Sequence, residues 1–192
     1  MKIIIDLETT GFKESDDILQ ISVIKLDDNN KINFIHNNFF KTDKYYPEAY
    51  VVHGLLKEEL SNSPWKQSDL NNLITVLFNK VDTIIGYNTN FDYGMLFKKS
   101  DDFNKNMLKN IQIVDMMRDL NWYKKSYNTK NGRRNNNLRL EEALSEMINK
   151  GTDLNQMKEE FKRLFKIQQF NSHDARWDTY VTYVLYRDYY LK

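Results

Sequence analysis

An α/β fold built on a mixed five-stranded sheet is the architecture this 192-residue sequence predicts. Three strand-like stretches joined by tight turns come first, and helical periodicity then alternates with two further strand-like runs. Only two prolines and six glycines interrupt the pattern, and no linker divides it, so a single domain over residues 1–192 is expected. With 41% hydrophobic and 29% charged residues the chain can bury a real core. That composition fits neither a disordered, a fibrous nor a repeat protein.

Lys2 to Asp6 is a β-branched run ending on an acid, the first strand. Ile18 to Leu26 and Ile32 to Lys41 follow, with hairpin-turn chemistry in Asp27-Asp-Asn-Asn-Lys31 between them. After Pro64, the segment from Trp65 to Asn79 carries Leu70, Leu73, Ile74, Leu77 and Phe78 at helical spacing. Thr83 to Tyr87 reads as a strand, followed by a helix through Met95, Leu96 and Phe97. Ile111 to Val114 is the fifth strand, ending at Asp115 and leading into Met116 to Trp122. Helices are then expected over Leu138 to Asn149, Leu154 to Phe165 and about Asp174 to Tyr190.

Several functions are excluded by composition. No cysteine is present, which removes disulfides, thiolate zinc sites and a cysteine nucleophile. Three histidines are too few for a histidine-rich metal cage. No stretch approaches eighteen apolar residues, and Asp6 stops the apolar run at the start, so neither a membrane span nor a signal peptide fits. A soluble, cytoplasmic protein is expected.

Asp6 and Glu8 flank Leu7 at the strand end, and strand alternation points both carboxylates to one face. Two such groups repel unless a cation or a proton joins them; two solvent-facing acids are the plainer alternative. Oxygen-only ligands would select Mg²⁺ or Mn²⁺ rather than zinc. Asp92, in Gly86-Tyr-Asn-Thr-Asn-Phe-Asp92, follows a strand end, where α/β proteins place ligands, although capping and the helix dipole also favour an acid there. His173 and Asp178 lie five residues apart, about 140° around a helix, so they converge only if His173 sits on the loop before it. Ser172 and Asp174 are N-cap types that make this arrangement reasonable.

Taken together, Asp6-Leu-Glu-Thr-Thr-Gly11, Asn88-Thr-Asn-Phe-Asp92 and His173-x-Ala-x-x-Asp178 resemble the three motifs of the DnaQ-like DEDDh 3′→5′ exonucleases. That family includes the proofreading epsilon subunit of bacterial DNA polymerase III. Pro47-Glu-Ala and His53-Gly-Leu55 resemble its terminal-nucleotide segment, and Asp115 falls where it usually has an acid. The resemblance implies an RNase H-like fold and hydrolysis of phosphodiester bonds at a 3′ end by two Mg²⁺ or Mn²⁺ ions, releasing nucleoside 5′-monophosphates. It implies that Asp6, Glu8, Asp92 and Asp178 hold the ions and that His173 takes the proton of the attacking water. Thr9, Phe12, Val52, His53, Asn88 and Phe91 would hold the terminal nucleotide. Tyr87, where many relatives have His, and Arg176-Trp177 are departures from the pattern.

The expected substrate is a single-stranded or frayed 3′ end of DNA, with a DNA polymerase as a potential partner. An RNase T-like exoribonuclease and a non-catalytic nucleic-acid-binding module are the alternatives. Net charge is +1, so the total is silent, but no acid lies between Asp119 and Glu141. Lys124, Lys125, Lys130, Arg133, Arg134 and Arg139 all fall in that stretch. A solvated loop explains such a run in general; with a polyanionic substrate, contact of Lys124, Lys125, Arg133 and Arg134 with the strand backbone is expected.

Overall fold

The computed structural model describes residues 1–44, 47–120, 138–170 and 173–191. The three leading strands form an antiparallel meander, β1 (Lys2–Thr9), β2 (Ile18–Leu26) and β3 (Ile32–Lys41). Two short helices, α1 (Pro47–His53) and α2 (Lys57–Ser61), lead to β4 (Trp65–Lys66), one 3₁₀ turn and α3 (Leu70–Phe78). Then come β5 (Thr83–Gly86), α4 (Thr89–Lys99), α5 (Asp102–Leu108), β6 (Gln112–Asp115) and α6 (Met116–Asp119). The last helices are α7 (Leu140–Asn149), α8 (Leu154–Phe165) and α9 (Ala175–Leu185), the last followed by a π-helical turn over Tyr186–Tyr190.

The sheet has six strands in the order β4-β3-β2-β1-β5-β6, with β5 and β6 parallel to β1. The expected count of five is therefore corrected to six. The added strand is the two-residue β4, paired with Phe40 and Lys41 inside a stretch whose periodicity reads as helix from Trp65. The side-chain period of Leu70 to Phe78 says nothing about the five residues before it, and a backbone pairing settles those. Helices α1, α2 and α5 are also additions to the sequence expectation.

Alternation along β1 sets the architecture. Ile3, Ile5 and Leu7 pack with α3, α4 and α5 into one core, through Leu73, Ile74, Leu77, Met95 and Leu96. Ile4 faces the other core, built with Ile24, Ile85, α7, α8 and α9. Asp6 and Glu8 continue the face of Ile4, so the carboxylates emerge where this second core ends.

An aromatic knot fixes α8 against α9. The fully buried Phe161 lies within 4.6–5.6 Å, ring centre to ring centre, of Phe165, Phe170, Trp177 and Tyr180. Phe161→Ala removes this hub and leaves a cavity, so unfolding in urea should show a loss of about 3–5 kcal/mol. A loss under about 1 kcal/mol would mean that the knot is not structural.

Candidate active site

Strand β1 is longer than expected and outruns its parallel neighbour. It pairs with β5 only from Lys2 to Ile4 and with β2 as far as Thr9, so the β5-side edge beyond Ile4 is left to another element. Helix α4 takes that place. Its buried Asp92 accepts a hydrogen bond from the Leu7 N–H at 3.0 Å, which docks the acid beside Asp6 and Glu8. The backbone enters α4 through Asn88 at φ 63°, ψ 42°, a left-handed conformation that asparagine tolerates. Asp115 holds this corner: one carboxylate oxygen accepts the N–H of Asn88 at 3.0 Å and that of Met117 at 3.2 Å. Arg118 makes an ion contact with the other oxygen, 3.1 Å away.

The third acid arrives from above the sheet. Asp174 is the N-cap of α9, and Asp178 follows one turn later. Fully buried Gln20, directly opposite Glu8 on β2, donates to Asp174 at 3.0 Å and accepts from the Ala175 N–H at 3.3 Å. Arg176 forks onto the Asp174 carboxylate and lies over the Phe39 ring. Trp177 packs on Phe161 and Phe170. The two departures in the third motif therefore serve to anchor α9.

Asp6, Glu8 and Asp178 each offer an oxygen within 4.8 Å of the others. Burial, then the charges of Asp92, Asp178 and Glu8, pushes the Asp6 carboxyl well above the ordinary carboxylate range. Glu8 and Asp92 are raised as well, in both cases chiefly by burial. Burial, followed by the charge of Glu141, raises Asp178 to about 7. An all-oxygen set of enclosed acids that repel one another suits a hard divalent cation.

These shifts predict a pH dependence. A carboxyl raised above its unfolded value binds more protons when folded, so its stabilisation is present at low pH and lost as pH climbs through the folded value. For Asp178 that window runs from the unfolded value up to about 7. In EDTA the protein should therefore melt lower at about pH 8 than at about pH 5.5, and Mg²⁺ should recover more at the higher pH. A melting temperature in EDTA that rises over this interval would contradict the cluster's electrostatics.

The remaining expected residues are spread around this centre. Thr9 is buried and donates to the Gly11 carbonyl at 2.7 Å, closing the turn after β1. Gly11 lies so close to Asp16 that an added Cβ would sit 2.5 Å from its carboxylate oxygen. Phe12 is 81% exposed and meets the Phe91 ring edge-on at 5.5 Å. Val52 is exposed, whereas His53 is buried, with Nδ1 accepting the Leu55 N–H at 2.9 Å. Burial lowers the His53 pKa. His53 also lines a cleft of about 190 Å³ with Phe39, Gln169, Phe170, Asp174 and Arg176. His173 stands on the loop before α9, at φ 66°, the placement that convergence with Asp178 would need, but it lies outside the three-acid cluster. Its Nε2 lies 3.4 Å from Oε1 of Glu141. Ser172 and the basic stretch containing Lys124, Lys125, Arg133 and Arg134 lie outside the described residues.

Sequence reasoning missed Gln20 and Glu141. A glutamine inside Ile18-Leu-Gln-Ile-Ser-Val was a signal, because a buried polar side chain in an apolar strand needs partners. Glu141 gave no signal, since an acid in the first turn of a helix is ordinary.

The fold and the site define a class: an RNase H-like α/β protein with carboxylates gathered where the central strand outruns its neighbour. The exonuclease family model, of RNase T type, matches residues 3–186, and the chain belongs to this family, the DnaQ-like DEDD group. Escherichia coli exonuclease I in complex with a dT13 oligonucleotide is similar in fold, with a TM-score of 0.65 at 20% identity over 98% of this chain and 41% of that one. Its complex with dA16 gives 0.61 at 20% identity over 96% and 39%. A moderately thermophilic exonuclease I from Methylocaldum szegediense gives 0.60 at 20% over 97% and 39%. The chain thus spans about two fifths of the length of these structures. No curated protein matches it. Among the described residues, no helix is long and apolar enough to cross a membrane.

Proposed function

We propose that the chain is one exonuclease unit of DEDDh type, hydrolysing the terminal phosphodiester at the 3′ end of single-stranded DNA and releasing nucleoside 5′-monophosphates. The observation that carries this reading is the convergence of Asp6, Glu8 and Asp178 within 4.8 Å, with Asp92 bolted to the Leu7 N–H beside them. Asp6, Glu8, Asp92 and Asp178 are the residues that would hold two Mg²⁺ or Mn²⁺ ions. When bound, such ions supply charge stabilisation to the attacking and leaving oxygens of an in-line displacement.

The chain's own residues do the rest. His173 accepts the proton of the attacking water at a ring nitrogen, the role an imidazole commonly takes as a general base. Exposed Phe12, set against half-buried Phe91, offers a ring face on which an unpaired base stacks. Val52, Asn88 and buried His53 flank the sugar and base of the terminal nucleotide. Thr9 keeps the turn after Glu8 closed, so that the acid is aimed inward. Single-stranded DNA is favoured as substrate because similar exonuclease I structures hold dA16 and dT13 oligonucleotides.

The test is digestion of matched 5′-labelled single-stranded DNA and RNA with Mg²⁺ or Mn²⁺. A ladder shortening from the 3′ end of DNA, abolished by EDTA, is the expected result. Preferential loss of RNA would turn the reading to the exoribonuclease alternative, and intact strands of both kinds would leave only a binding module.

A further inference from the structure

His173 is poorly held for a catalytic base. Its backbone is left-handed, its side chain is 41% exposed, and it precedes rather than joins α9. A base works only when a third group fixes the ring and selects which nitrogen carries the proton. Among the described residues, Glu141 is the one acidic side chain within ion-pair distance of it, with Oε1 3.4 Å from Nε2. Glu141 belongs to α7, outside all three motifs of the sequence, and its charge is also felt at Asp178.

The position of Glu141 is itself well secured. The Arg139 N–H donates to Glu142 at 2.7 Å, closing the first turn of α7. Tyr87 donates its hydroxyl to the Leu138 carbonyl at 2.6 Å, tying the entry of α7 to the β5–α4 corner that carries Asn88 and Asp92. Buried Ala143 and Met147 seat the helix on the core. The tyrosine that departs from the family pattern thus braces the element that bears Glu141.

We propose that Glu141 is the positioning residue for His173: it accepts the Nε2–H, leaving Nδ1 as the nitrogen that takes the proton of the attacking water. This rests on the exonuclease reading. In the step, the water proton passes to Nδ1 and its oxygen bonds to phosphorus. The bond from phosphorus to the 3′-oxygen of the penultimate nucleotide breaks, and that oxygen takes a proton from solvent. The Glu141 carboxylate then faces an imidazolium. An exposed ion pair of this kind adds little to stability, so its value lies in orientation.

The experiment is a double-mutant cycle with a spectroscopic control. Glu141→Ala should lower kcat by roughly 10-fold to 100-fold with KM unchanged, below the 10²–10⁴ ascribed to a general base itself. In a His173→Asn background the same substitution should change nothing, because there is no ring left to orient. Glu141→Gln, which keeps an acceptor oxygen, should recover part of the loss. An unchanged kcat in Glu141→Ala, or an equal drop in both backgrounds, would overturn the assignment. Nitrogen-15 NMR of the chain reads the His173 tautomer without turnover: Nε2–H should dominate and give way to a mixture in Glu141→Ala. If no strand is hydrolysed at all, the exonuclease reading fails, while the tautomer still decides the contact. A tautomer identical in both proteins overturns it.

Discussion

Asp6→Ala should abolish hydrolysis while making the EDTA-treated protein more stable, not less. Asp6 lies at the centre of the carboxylate set, and its carboxyl is raised by burial and by Asp92, Asp178 and Glu8. Cations at such a site provide several kcal/mol of transition-state stabilisation, and each 1.36 kcal/mol is tenfold, so a loss of about 10³-fold or more is expected. Removing one of several repelling, half-buried charges relieves the native state wherever those groups are ionised. At about pH 8 in EDTA the variant should therefore melt at or above the parent, and Mg²⁺ should shift its melting temperature less. The two readouts separate function from folding. More than a tenth of the parent's turnover in Asp6→Ala, or full turnover of the parent in excess EDTA, would remove the cation-dependent mechanism.

His173→Asn should cut kcat by roughly 10²–10⁴-fold, the range for a general base, with the Mg²⁺-induced melting shift preserved. Asparagine is the better replacement because the residue sits at φ 66°, where alanine adds backbone strain. The histidine stands outside the three-acid cluster, and the melting shift is the readout that separates a proton acceptor from a ligand. A variant that loses the melting shift yet keeps its rate once cations are saturating would make His173 a ligand instead.

The local geometry of the candidate site was legible along the chain. Alternation in β1 puts Asp6 and Glu8 on one face, and the structure keeps them there, on the face of Ile4. The five-residue interval between His173 and Asp178 lets the two converge only if the histidine precedes the helix, and α9 does begin at Ala175. The helical spacing from Leu70 to Phe78 and the strand runs of the meander are likewise local patterns that tertiary packing did not override. Short elements fared worse. The two residues of β4 and the seven-residue helices α1 and α5 are too brief for a period to declare itself.

The face that each of these side chains takes follows from the periodicity of the local backbone, which is readable along the chain. Which distant groups meet is settled by the packing of the elements. Asp92 reaches the site because β1 outruns β5 and exposes the Leu7 N–H to α4. Asp178 reaches it because Gln20 on β2 clamps the start of α9 beside Glu8. Glu141 meets His173 because Tyr87 ties the entry of α7 to the β5–α4 corner. Each of these is one or two hydrogen bonds or ion contacts between residues 32 to 155 positions apart in the chain. Such contacts have no period, and they form only after burial of the two cores has brought their elements together.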